Sequence, residues 1–89
     1  MVTNTQELLK DTVDSMLSDD FKERFIAEYI QTKVRYDALH RMLIKYRAGT
    51  LTLKCSYYDL LAEQAEYMGN YLRILEIRAE IEGIELFIK

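Results

Sequence analysis

Between Lys33 and Tyr58 the chain interleaves cations with flat rings: Lys33, Arg35, Arg41, Lys45, Arg47 and Lys54 are opposed only by Asp37, and Tyr36, His40, Tyr46, Tyr57 and Tyr58 stand among them. Guanidinium and ammonium groups grip phosphate oxygens through charge-assisted hydrogen bonds, and aromatic faces stack on bases. That pairing suits a nucleotide or another small anion. The candidate ligand set is Arg35, Tyr36, His40, Arg41, Lys45, Tyr46 and Arg47. A blander explanation stands beside it. The same cations can form a solvated face that pairs with acidic neighbours, and Tyr36 and Tyr46 also fall on an apolar seam.

Catalysis is poorly provisioned. The chain has one histidine and one cysteine, so Ser–His or Cys–His chemistry would have to join His40 to a remote serine or to Cys55, and no spacing brings them together. A carboxylate-bridged dimetal bundle needs two Glu-x-x-His turns, and only Asp37-x-x-His40 approaches that pattern. A lone histidine cannot build a multi-histidine metal site. The expectation is therefore no enzyme, no metal and no cofactor, with Asp37 and His40 as a solvated surface pair and Cys55 as a small buried filler. One cysteine also forbids an internal disulfide, which fits a reducing, cytoplasmic setting.

The elements that must position these residues are helices. Eighty-nine residues make a small domain, and 49% hydrophobic residues with seven Tyr, three Gly and no Pro describe an ordered helical chain. No stretch approaches the ~20 apolar residues of a membrane span, and the N-terminus lacks the basic-then-apolar order of a signal peptide. The net charge of −3 is segregated. Residues 1–20 carry five acids against Lys10, residues 21–48 carry seven bases against Glu23, Glu28 and Asp37, and residues 57–89 carry seven acids against three bases. Outer acidic segments are expected to attract the basic middle one.

The longest predicted helix covers 57–88. Along it Leu61, Ala65, Met68, Leu72, Leu75, Ala79, Glu82 and Leu86 alternate spacings of four and three, the mark of a seam against another helix. Tyr67, Tyr71, Ile74, Ile81 and Ile88 repeat on the adjacent row, and Ile77 and Ile84 widen it beyond what one neighbour can cover. Ser56 with Asp59 should cap this helix. A second helix over 20–47, capped by Asp20 with Glu23, carries a matching seam of Phe25, Tyr29, Thr32, Tyr36, Leu39, Leu43 and Tyr46 and ends at Gly49 after Lys45 and Arg47. A short first helix over 5–17, opened by Thr3 with Gln6, is too short to be stable alone, so it should lie across the hairpin or on a neighbouring subunit. The expected fold is all-α: a single domain built as a long antiparallel helical hairpin with a short N-terminal helix, associating into a helical bundle oligomer. Ala65 with Gly69 and Ala79 with Gly83 repeat the same small-residue pair two heptads apart, and glycine inside a helix costs about 1 kcal/mol, so close helix crossings are expected there, within the chain or between subunits. The expected interface is Ala65, Gly69, Ile74, Ile77, Ala79, Ile81, Gly83, Ile84 and Ile88.

Several motifs carry a family resemblance: Ser18-Asp-Asp-Phe-Lys-Glu-Arg-Phe25, Glu28-Tyr29, Gln31-Thr-Lys-Val-Arg-Tyr36, Met68-Gly-Asn-Tyr-Leu72 and Leu75-Glu-Ile-Arg-Ala-Glu-Ile-Glu-Gly-Ile84. Over residues 18–86 the chain resembles a family of small helical proteins of bacteriophages and prophages, related to those of crAss-like phages. The resemblance implies phage origin and expression in the bacterial host cytoplasm. By analogy with other small oligomeric phage proteins it also implies a counter-defence role, such as capture of an immune signalling nucleotide. Two alternatives stay open: a protein-binding inhibitor or adaptor of a host defence protein, and a structural assembly protein without a ligand. Genomic DNA fits poorly, because an acidic chain without a recognition motif forgoes the long-range attraction that phosphate binding uses.

Overall fold

The computed structural model describes residues 5–86, excepting the side chains of 5–8 and 11. The expected cap by Thr3 and the interface position Ile88 lie outside the described residues. Within them the structure is all-α, with α1 spanning Thr5–Met16, α2 Phe21–Arg47 and α3 Cys55–Glu82. No strand occurs among the described residues.

The breaks follow local chemistry. Asp20 takes extended backbone and its carboxylate accepts the Lys22 N–H at 2.8 Å, a cap that starts α2. The Asp20 N–H donates in turn to Ser18 Oγ at 3.0 Å. At the other end Gly49 has φ +83°, and the Thr50 N–H returns to the Lys45 carbonyl at 2.9 Å, which closes the exposed end of the helix.

α3 departs from expectation at both ends. It starts at Cys55, with Lys54 as the N-cap residue and no side-chain cap bond, so Ser56 lies inside the first turn and does not cap it. It stops at Glu82, well short of residue 88. Gly83 is the reason: at φ +70° it is left-handed, its N–H and that of Ile84 both return to the Ala79 carbonyl, and Ile84 is then carried back into the core.

The seams meet as their periodicity predicts. Phe25, Tyr29, Leu72, Leu75, Ala79 and Ile84 form one buried cluster, and Leu39, Leu43, Leu61 and Ala65 form another. Tyr36 packs against both clusters. As residue numbers rise along α2 their partners fall along α3: Phe25 lies against Arg78, Tyr29 against Glu76, Tyr36 against Gly69 and Tyr46 against Tyr58. α1 packs on α2, with only Met16 at its end sharing a cavity with Leu75 and Arg78 of α3. It covers a different side of α2, where Ala27 is buried and the Gln31 amide donates to Thr12 Oγ1 at 2.8 Å. α2 is thus the shared middle element.

The segregated charges do not meet as ion pairs. Among the described residues Lys33–Asp37 and Arg78–Glu82 each lie within one helix. Tyrosines tie acids across helices instead: Tyr29 Oη donates to Glu76 Oε2 at 2.7 Å, and Tyr71 Oη donates to Glu28. Tyr29 buries its ring and keeps its hydroxyl for a carboxylate, whereas Tyr71 does so from an exposed position.

Candidate functional site

The basic helix divides its candidate residues among several surfaces. Arg41 and Lys45, four residues apart, share an exposed side of α2. Lys33, His40 and Arg47, spaced by seven, follow another. Arg35 belongs to neither.

Two of the rings are committed to the fold. The Tyr36 ring lies against Gly69, where an added Cβ would stand 3.3 Å from its Cε1, and it stacks on His40 with centroids 5.8 Å apart. Lys33 Nζ approaches the same ring at 5.9 Å. Tyr46 stacks on Tyr58 at 4.3 Å and its hydroxyl lies 3.8 Å from Cys55 Sγ, so it closes the end of the helix pair. That contact raises the Tyr46 pKa. Cys55 is exposed, not the buried filler expected, because the earlier start of α3 places it in the solvent-facing first turn. Asp37 pairs with Lys33 at 3.0 Å while His40 lies on Tyr36, so the expected Asp37–His40 pair is replaced by two neighbouring contacts.

What the fold does build is a groove of about 610 Å³ between α2 and α3, lined by Thr32, Arg35, Ala38, Leu39, Met42, Gln64 and Met68. Leu39, Met42 and Met68 give it an apolar floor and Arg35 a cationic edge. The Arg35 guanidinium is exposed and reaches Gln31 Oε1 at 3.5 Å, the outer limit of a hydrogen bond, which leaves most of its donors for another acceptor. Thr32 and Gln64 add polar groups on the two walls. An apolar trough with a few convergent polar groups is the form that small-molecule sites take, and methionines let such a floor adapt. Of the candidate ligand residues Arg35 alone lines this groove. Met42, Gln64 and Met68 were missed as site residues because their spacing reads as seam or solvent face; only the pairing of the two helices brings them together.

The expected interface residues also part company. Ala65, Ala79 and Ile84 are buried within the chain, and Gly69 receives its own Tyr36. Gly83 is a helix terminus, with nothing near its absent side chain. Ile74, Ile77 and Ile81 remain exposed.

No group of three or more His, Cys, Asp or Glu among the described residues could hold a metal, and no helix there is long and apolar enough to cross a membrane. The Sequestin family model matches residues 19–81, which takes in α2, the connector and nearly all of α3. The chain belongs to the Sequestin family. The matched span contains every residue of the groove and leaves α1 outside it. No curated protein and no solved structure matches the chain.

Proposed function

We propose that this Sequestin-family chain withholds a small anionic ligand in the groove between α2 and α3, without transforming it. The observation that carries the proposal is Arg35, a cation with spare donors at the edge of an apolar, methionine-floored trough. The family name is compatible with sequestration. A nucleotide fits the chemistry: its phosphates answer Arg35, with Arg41 and Lys45 lending charge nearby, and its base answers Leu39, Met42 and Met68. The working unit of the proposal is the antiparallel hairpin of α2 and α3, assembled into a homo-oligomer. Its biological setting is a phage protein in the bacterial cytoplasm that removes an immune signalling nucleotide.

Calorimetry of the full chain against linear and cyclic nucleotides tests this. Arg35→Glu should weaken binding by ~1.5–3 kcal/mol, about tenfold to a hundredfold, with helicity and melting temperature unchanged. Arg41→Glu with Lys45→Glu should weaken it less and steepen no thermal transition. Heat from no member of the panel, together with stoichiometric capture of a host protein, would replace ligand capture with the protein-binding inhibitor or adaptor.

A further inference from the structure

α3 carries a second apolar seam that none of the described residues covers. Leu60, Tyr67, Ile74 and Ile81 stand seven residues apart on one line, and they are 61%, 65%, 48% and 78% exposed. Ile77, half exposed, widens the line toward the C-terminal end. Among the described helices α2 is the one that packs along α3, and it does so on a different side. The uncovered line runs about 32 Å, and a heptad-spaced apolar row of that length is the pattern a partner helix reads.

We infer that this face is the contact surface for a second copy of the chain, laid antiparallel about a two-fold axis that passes between Asn70 and Tyr71. The inference rests on the oligomer of the proposed function and not on its ligand. That axis sets Leu60 opposite the other copy's Ile81 and Tyr67 opposite its Ile74, so all four seam positions find apolar partners, each contact occurring twice. The same axis decides the charges. Glu63 comes opposite Arg78 and Glu66 comes within about one turn of Arg73, while Asp59 comes opposite Glu82 at the end of the seam, so Glu63 and Glu66 meet the basic positions of the second half. A parallel, in-register pair would instead stack Glu63 on Glu63, Glu66 on Glu66 and Arg73 on Arg73. Among the described residues Arg73 has no ion-pair partner within 4.0 Å, and Arg78, though it lies over the Phe25 ring and near Glu82, keeps about half its side chain in solvent. Charge complementarity therefore favours a second copy in this one orientation.

Sedimentation of the full chain at micromolar concentration should give a multiple of 10.6 kDa. Ile74→Glu should return it to the single-chain mass with unchanged helicity, while Ile44→Glu, equally exposed but on α2, should not. Glu66→Arg and Arg73→Glu should each raise the dissociation constant by about tenfold, and the double variant should recover most of the loss. Orientation is read by mild oxidation in a Cys55→Ser background: Leu60→Cys alone should stay uncrosslinked, and an equimolar mixture with Ile81→Cys should form a disulfide-linked pair. A wild-type mass of 10.6 kDa, or Leu60→Cys linking to itself, would overturn the inference. Nucleotide titration reports on the groove separately, so ligand binding by a monomer would sink this surface and spare the ligand, and an assembled chain without ligand would do the reverse.

Discussion

The hydroxyl of Tyr29 shows how much one residue of the seam can be asked to do. Its ring fills the core beside Leu72 and Leu75 while its oxygen reaches Glu76, and burial, followed by that hydrogen bond, holds the phenol neutral well above the ordinary tyrosine range. In the unfolded chain the group would lose its proton near pH ~10, whereas the folded chain keeps it. The unfolded state then binds fewer protons, so stability should be full below about pH 10 and fall as the pH climbs beyond it. Urea midpoints compared at about pH 8 and about pH 11 should show this fall, and Tyr29→Phe should reduce it. The seam role of Tyr29 was plain from its spacing to Phe25 and Tyr36. Its carboxylate partner was not, because period places a residue on a face and cannot say which group of a distant helix ends up one hydrogen bond away. The same limit explains Arg35. Its type announced a phosphate ligand, but the methionines and leucine beside it became a site only through the register of two helices.

At the scale of the element, two glycines on α3 that share a sequence pattern serve opposite purposes. Gly69 sits inside the helix because the Tyr36 ring needs the volume that a side chain would occupy. Gly69→Leu should overpack that contact and cost ~1–3 kcal/mol in chemical denaturation, and replacing Tyr36 by Ala in the same chain should recover part of the loss. Gly83 meets nothing, yet its left-handed backbone penalises any side chain by about 1 kcal/mol. Gly83→Ala should therefore cost that amount, and pairing it with Tyr36→Ala should recover none of it. Fully additive losses at both positions would mean that the Tyr36 ring crowds neither glycine. The repeated small-residue pair was visible in the sequence, but its uniform reading failed at the second copy. A glycine followed by an apolar residue that can fold back, here Ile84, ends a helix as readily as it lets one pass close by. The start of α2 was legible for a firmer reason: Asp20 supplies its own acceptor two residues ahead of the N–H it satisfies, so that break depends on no distant group.

For the whole molecule, the order of packing has a consequence beyond the site. Among the described residues α1 rests mainly on α2, with only Met16 at its end sharing a cavity with Leu75 and Arg78 of α3, so its attachment and the α2–α3 core draw on largely separate sets of contacts. The 12 residues of α1 are too few to hold a helix without that attachment. Its backbone should consequently open as a unit of its own. In native-state hydrogen exchange the amides of α1 should lose protection through a local event of low free energy and weak denaturant dependence, while the buried turns around Leu72 and Leu75 exchange only when the whole chain unfolds. A single common opening energy across all three helices would show one cooperative body instead. If α1 does come away first, the first surface laid bare is the side of α2 at Ala27 and Gln31, not the trough at Arg35, and whatever rests in that trough would remain held through the opening.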